Sequence, residues 1–358
     1  MKNNLQMLYI HIPFCTRKCY YCGFVSVNKT CLWKKYFQTL IAEIKSKKNN
    51  NNVSSIYFGG GTPSIVDVNY IEQVMDCIKQ NYNILDNAEI TLEANPTSDF
   101  VNNIERYKRI GINRISFGVQ SLDNNNLLKL GRDQPTNEAI CCIENTCKML
   151  DNVSCDLLLG LENQNFYQIK NDIDILNKVG VKHLSVYMLM IEENTMLYNM
   201  VKDKMYKPLN DDQSVQLYQD TYQYLKSLGF ERYEISNFCK PNFYSRHNLG
   251  YWQMKNYLGF GASAHSFYDN IRSCNSDNIE EYINDNKTEY EKLSQEQIYE
   301  EQLMLGLRTK YGVEEKIIKN KTVLKQLLNN GFVKKVNNNI VITDDNFNIT
   351  NQIILKLI

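Results

Sequence analysis

Residues 10–24 read IHIPFCTRKCYYCGF, and this stretch decides how the rest of the chain is read. A short β-branched and aromatic run, Leu8–Ile12, stops at Pro13. The next loop carries Cys15, Cys19 and Cys22 in a Cys-x3-Cys-x2-Cys spacing. Thiolates are the ligands of Fe–S clusters, and four saturate a cubane. Three close thiols without a fourth nearby leave one iron open to an outside ligand. With 11 cysteines in 358 residues, a given cysteine finds both partners by chance about once in a thousand. The competing reading is a structural or zinc-binding set. Zinc sites usually draw four ligands from paired clusters, and the chain has no second Cys-x2-Cys pair.

Outward from that loop, short strand-like runs alternate with amphipathic stretches as far as residue 230. The strand candidates are Leu8–Ile12, Val53–Phe58, Glu89–Glu93, Arg114–Gly118, Val153–Leu158 and His183–Met188. Between and after them, Leu32–Lys48, Val68–Asn81, Phe100–Ile110, Asn137–Leu150, Phe166–Val179 and Asp212–Leu228 read as helices. Strands separated by helix-length crossovers imply βαβ units and a parallel sheet. Six units in order predict a barrel, closed or incomplete, rather than a doubly wound sheet.

Beyond Tyr233 the texture changes to an irregular, aromatic- and glycine-rich region that runs to Tyr268. A second helical region begins near Asn278 and continues through Gln295–Lys310. The tail Val313–Ile342 reads as two short helices and a pair of strands, a winged-helix-like signature. These changes divide the chain into residues 1–232, 233–277 and 278–358. Lys plus Arg (40) equals Asp plus Glu (40), so no field of one sign points to nucleic acid, and the tail reads as a packing module.

No N-terminal apolar segment with a cleavage site appears in MKNNLQMLYIHIPF, and no run of 18 or more apolar residues occurs. Most cysteines sit singly in apolar segments, as Cys77 and Cys155 do, where a free thiol acts as a small hydrophobe. That usage fits a reducing cytoplasm better than a disulfide framework. Asn-rich stretches at Lys48–Asn52 and Asn337–Asn339 read as polar loops.

The Cys15–Cys19–Cys22 spacing resembles the signature of the radical SAM superfamily. In that superfamily the amino and carboxylate groups of S-adenosylmethionine occupy the open iron of a 4Fe–4S cluster. Further polar residues sit where strand ends would meet such a cofactor. SIYFGGGTPS comes after the second strand, and Gly59, Gly60 and Gly61 let backbone approach a ligand without a Cβ in the way. Glu93 closes the third strand in TLEANP, Gln120 comes just after the fourth in SFGVQS, and Asp156 lies among apolar neighbours in VSCDLLLGL. Arg132 sits in LGRDQ. A lone carboxylate in an apolar strand is costly unless it is paired. Each residue singly reads as a structural hydrogen bond or ion pair. Together with the triad they match a ligand with a carboxylate, an ammonium and ribose hydroxyls.

As a set the motifs resemble the oxygen-independent coproporphyrinogen III oxidase family, more closely its HemW branch of haem chaperones. The resemblance runs through YIHIPFC-x3-C-x2-C, GGGTP, EANP, SFGVQS, GR and DLLLGL to RHNLGYW and YLGFGASAHSF. It implies an α/β fold, a partial (β/α)6 radical-SAM barrel with a C-terminal helical, winged-helix-like domain. It also implies S-adenosylmethionine contacts from Tyr9, Gly60, Gly61, Thr62, Glu93, Gln120, Arg132 and Asp156. The oxidases carry a further cysteine two positions after the third ligand, where this chain and the chaperone branch have Phe24. The chaperone branch also has a haem-associated His-Asn-x2-Tyr-Trp motif, matched here by His247, Asn248, Tyr251 and Trp252. LGRDQ departs from the family's Arg-x-His, which leaves Arg132 in place. The tail TDDNFNITN lacks the usual glycine after its last strand.

The implied function is a carrier that binds haem and passes it to recipient proteins, such as respiratory proteins at the membrane, with room for a homodimer. The alternative is an enzyme: radical oxidative decarboxylation of the propionates of coproporphyrinogen III. A third reading is a radical SAM enzyme with another substrate. Phe24 and HNLGYW favour the first. Taken by itself, His247 reads as readily as part of a structural loop.

Overall fold

The computed structural model describes residues 5–285 and 287–358. Six parallel strands form its centre: β1 (Leu5–Ile12), β2 (Asn52–Gly60), β3 (Asn83–Ala94), β4 (Arg114–Gln120), β5 (Val153–Leu159) and β6 (His183–Met188). Each is followed by helix: α1 (Trp33–Ser46), α2 (Val68–Asn81), α3 (Ser98–Ile110), α4 (Asn124–Lys129) with α5 (Thr136–Met149), α6 (Phe166–Lys178), and α7 (Met196–Lys202) with α8 (Asp211–Ser227). The helices cover one face of the sheet. Their apolar stripes explain this, as in α1, which buries Tyr36, Phe37, Leu40 and Ile44.

The chain order of the six strands is also their order in space, and β1 does not pair with β6. The barrel is therefore incomplete, and strands from later in the chain cover its two free edges. β7 (Glu231–Arg232) and β8 (Asn237–Cys239) extend the β6 side, with β8 antiparallel to β6. β9 (Tyr257–Phe260) pairs parallel to β1, and β10 (His265–Tyr268), β11 (Ile271–Asn275) and β12 (Thr288–Lys292) continue outward as an antiparallel ribbon. Pairing both edges removes the exposed rows of N–H and C=O groups that an open sheet presents. The region 233–268, irregular in the sequence, thus holds β8 to β10 and the helix α9 (Arg246–Trp252). These elements are too short to show a period, and their glycines mark close backbone approach.

Two apolar clusters, with a three-leucine satellite (Leu130, Leu158 and Leu161) beside them, divide the described residues. The large one lies between the sheet and helices α1, α2, α3, α5, α6 and α8, and it takes in Ile279 and Tyr282 of α10 (Ile279–Asn284). The smaller one joins α11 (Gln295–Gly306), α12 (Lys321–Asn329) and α13 (Thr350–Leu357) to a three-stranded sheet of β13 (Val313–Glu314), β15 (Asn339–Ile342) and β14 (Val333–Val336), in that order. The hairpin and α12 match the tail's pattern. The first short helix expected there is a single 3-10 turn, Glu315–Ile317. The two bodies meet through a bridge between Glu234 and Thr309, and the Arg232 guanidinium lies 3.7 Å from the centre of the Phe347 ring. No helix among the described residues is long and apolar enough to cross a membrane.

Candidate cofactor site at the barrel mouth

Strand alternation sorts the six strands into two faces. Leu8, Ile10, Ile56, Phe58, Leu92, Ile115, Phe117, Cys155, Leu157 and Leu184 go beneath the helices. Their neighbours, Tyr9, His11, Tyr57, Gly59, Glu93, Ser116, Gly118, Asp156 and Ser185, share the opposite face, toward the barrel lumen. Register then brings them side by side. Tyr9 is level with Tyr57, Glu93 with Ser116, Gly118 with Asp156, and Asp156 with Ser185. This answers the puzzle of a carboxylate in an apolar strand: the apolar residues around Asp156 belong to the other face.

Neither Glu93 nor Asp156 forms an ion pair among the described residues. Tyr57 donates its hydroxyl to Glu93 Oε1 at 2.7 Å, and the Gly60 amide donates to Glu93 Oε2 at 3.2 Å. Burial, helped by repulsion from Asp156, still pushes the Glu93 carboxyl up to about 7. Burial likewise raises Asp156 to about 6 against the bond from Ser185. Two half-buried acids held this way are ready for a cation or a set of hydroxyl donors.

Gln120 and Arg132 complete the opposite wall. A register shift lies between Gly118 and Gln120, and Gln120 has φ +69°. That bulge brings Gln120 Nε2 to 3.2 Å, and Arg132 Nη1 to 3.6 Å, from where a Cβ on Gly118 would stand. The Arg132 guanidinium donates to Asn95 Oδ1 at 2.6 Å and to the Tyr21 hydroxyl at 3.3 Å. Gly60, with φ +114°, leaves no space for a Cβ, which would stand 2.6 Å from the His11 ring.

The cysteine loop lies above this floor. Cys15 Sγ is 3.5 Å from Thr62 Oγ1, so the first thiol meets the glycine loop. Main-chain bonds from Tyr20 N to Leu130 O (3.0 Å) and from Leu197 N to Tyr20 O (2.8 Å) pin the loop to α4 and α7. All three thiols are half-buried and unpaired by disulfide. Burial raises the Cys22 thiol, and Cys19 and Cys15 raise it further, so the three sulfurs feel one another. Among the described residues no three His, Cys, Asp or Glu side chains converge on a single metal ion. A cubane does not require that, because each thiolate binds a different iron corner. The donor set and its loop fit such a cluster.

The haem-associated motif lies elsewhere. His247 and Tyr251 share one face of α9 four residues apart, and His247 Nε2 is 2.9 Å from the Tyr251 hydroxyl. Its other nitrogen, Nδ1, is 2.9 Å from Ser55 Oγ. The ring is fully buried, and burial lowers its pKa to about 3. Asn248 and Trp252 are half-buried on the same helix. Of the motif, only Tyr251 reaches a cavity of about 500 Å³ beside the mouth. Tyr9, Phe24, Tyr257, Phe267, His11, His265 and Arg272 also line that cavity. The structure thus groups the cysteines, Gly60, Gly61, Thr62, Glu93, Gln120, Arg132 and Asp156 at one mouth. Tyr9 stands between mouth and cavity, and His247, whose ring lies 5.1 Å from that of Tyr57, is with Asn248 and Trp252 outside the cavity lining.

Sequence reading passed over Tyr57, Ser185, Tyr21 and Asn95, which hold the predicted residues in place. Counting by twos along β2 from Gly59 would have found Tyr57. It also assigned no role to His11 in IHIPFC or to His265 in ASAHSF.

Residues 9–176 match the family model of the radical SAM superfamily. The chain is 38% identical to the haem chaperone HemW of Buchnera aphidicola subsp. Schizaphis graminum over 77% of this chain and 75% of that protein. It is 31% identical to HemW of Lactococcus lactis subsp. lactis over 98% and 96%, and 30% identical to HemW of Bacillus subtilis over 98% of each. Among solved structures, coproporphyrinogen III oxidase (HemN) from Escherichia coli superposes with a TM-score of 0.83 at 19% identity, over 99% of this chain and 89% of that one. That likeness is one of fold.

Proposed function

The chain belongs to the radical SAM superfamily and, within it, to the HemW family of haem chaperones, and from that premise we propose that it binds haem and hands it to recipient proteins. Cys15, Cys19 and Cys22 would hold a 4Fe–4S cluster with one iron left for S-adenosylmethionine. When bound, that cluster supplies an electron to the sulfonium or serves as a regulatory anchor. Glu93 and Asp156 offer acceptors to the cofactor's ammonium and hydroxyl groups. Arg132 and Gln120 offer donors, Gly60, Gly61 and Thr62 give close backbone approach, and Tyr9 closes the side facing the cavity.

The observation that carries the chaperone over the oxidase is Phe24. It stands at the position where the oxidases have a fourth cysteine, it is 69% exposed, and it lines the cavity wall. An exposed aromatic ring there favours seating a flat apolar ligand over supplying a thiol to chemistry. The remaining parts of the reading are a reducing cytoplasm, supported by 11 free cysteines, a recipient at the membrane, and a homodimer. Nucleic acid has no place in it, given the balanced charge.

The test is anaerobic reconstitution with iron and sulfide, then haem titration beside incubation with coproporphyrinogen III. Saturable haem binding with no protoporphyrinogen formed is the expected result. Appearance of protoporphyrinogen would overturn the chaperone reading in favour of the oxidase.

A further inference from the structure

We propose that haem sits in the cavity beside the barrel mouth, with His265 as its axial iron ligand and Arg272 as the partner of a propionate. The assignment rests on the haem-carrier reading above and deepens it.

The four histidines of the chain separate by what their ring nitrogens already touch. His183 is closed between Ser154 Oγ (2.7 Å) and the Tyr233 hydroxyl (2.8 Å). His247 is closed between Ser55 and Tyr251. A neutral imidazole has one donor and one acceptor, so neither ring has a lone pair left for iron. His11 and His265 differ: both line the cavity. His11 has Nδ1 3.1 Å from the Tyr9 hydroxyl, and its Nε2 is buried without a partner. That nitrogen is pressed against Gly60, whose hypothetical Cβ would lie 2.8 Å from it. Gly261, with φ +102°, packs on the His11 carbonyl and Cβ. His11 is thus fixed in the wall and short of room for a metal. His265 is exposed, and among the described residues its one side-chain hydrogen bond is Nε2 to Cys274 Sγ at 3.4 Å. It is the histidine free to coordinate.

The remaining walls suit the rest of the ligand. Strand alternation places His265 and Phe267 on one face of β10, and Tyr257, Tyr251, Tyr9 and Phe24 supply further rings for a porphyrin plane. A volume of about 500 Å³ lies within the range of cofactor pockets. Among the described residues Arg272 is the one Lys or Arg on the wall, and it is held 2.7 Å from Glu301. Its guanidinium has five N–H donors, so it can keep Glu301 and still take a carboxylate. A single arginine matches haem, with two propionates and an iron, better than a tetra-anionic iron-free porphyrinogen.

The test is haem titration of the full chain by absorbance, for wild type, His265→Ala, Arg272→Ala and His247→Ala, each checked for cooperative unfolding. His265→Ala is expected to weaken binding at least about tenfold, the lower end of what loss of a group behind a metal ligand costs. It should also shift the spectrum of the bound haem, and added imidazole should restore that spectrum in the protein-bound fraction. Arg272→Ala should weaken binding less and leave the spectrum unchanged. His247→Ala should keep the wild-type spectrum in whatever fraction folds. A His265→Ala protein that titrates like wild type with an unchanged spectrum overturns the assignment and leaves the carrier reading standing. Wild type that takes up no haem overturns both.

Discussion

His247 bonds to Tyr251, and His265 lines the same cavity as that tyrosine, yet the two histidines occupy opposite physical situations. His247 is buried, both ring nitrogens are within 2.9 Å of a hydroxyl, and the main chain at residues 246 and 247 donates to the Glu89 carboxylate. His265 is exposed at the wall of a cavity with one weak contact to a thiol. The barrel mouth resembles the second case: Glu93 and Asp156 have hydrogen bonds but no cation among the described residues, and the thiols have Thr62 beside Cys15 and the Phe24 amide beside Cys22. A polar group whose neighbours already satisfy it is part of the scaffold, whereas one left wanting at an opening is where a ligand belongs. The comparison separates a motif's position in the sequence from its availability in space.

The largest effect expected from breaking the comparison is at the thiols. Cys15→Ala, Cys19→Ala or Cys22→Ala should abolish the cluster, read as loss of bound iron and sulfide after anaerobic reconstitution. Unfolding in urea should change little, since the thiols are half-buried. Retention of a full cluster in all three variants would remove the basis of the site.

Next in size is the closed histidine. His247→Ala removes a buried ring and strips Ser55 and Tyr251 of their partner, which should cost about 2–4 kcal/mol of stability in urea unfolding. His265→Ala, at an exposed position, should stay within about 0.5 kcal/mol. Equal losses for the two would erase the distinction between scaffold and site.

A smaller effect separates stability from binding at the mouth. Burial lifts Glu93 from its ordinary 4.5 to about 7, so the folded chain holds a proton there that the unfolded chain has lost. Its contribution to stability is fully present below about pH 4.5 and disappears as pH rises through 7. Glu93→Gln should therefore stabilise the cofactor-free protein by about 1–2 kcal/mol at pH 8, allowing for the water that reaches a half-buried group, and by nothing near pH 4. The same variant should bind S-adenosylmethionine more weakly, measured by calorimetry with the cluster intact. Greater stability at pH 8 together with unchanged cofactor affinity would make Glu93 a misplaced structural acid.

The remaining effect, at Gly60, is one of backbone strain. Ala there must adopt φ +114° and press its Cβ into the His11 ring, which should cost about 1–3 kcal/mol and distort the Tyr9–His11 contact. A thermal melt checks the first, and haem titration checks whether His11 matters to the cavity wall.

Much of this could be read from residues alone. The six strands and their helices were legible because apolar spacing is a local property, and β4, β5 and β6 fall within a residue or two of their expected bounds. The triad was legible because ligand spacing within one loop is local too. The region 233–268 was not, because strands of three or four residues leave no period, and β9 exists only through its pairing with β1 and β10. Likewise, the stretch from 278 reads as the start of a helical tail, but Ile279 and Tyr282 pack into the barrel's core.

Near neighbours along the chain set the alternation of elements, the cysteine loop after the first strand, and the acids waiting at strand ends. Tertiary structure alone decided which polar atoms are satisfied. His247 is closed off by Ser55, 192 residues away, and the cavity wall draws on β1, the cysteine loop, α9, β9 to β11 and α11. The physical reason is range. Periodicity and loop spacing arise from bonds between near neighbours, whereas hydrogen-bond satisfaction depends on groups that only folding brings together.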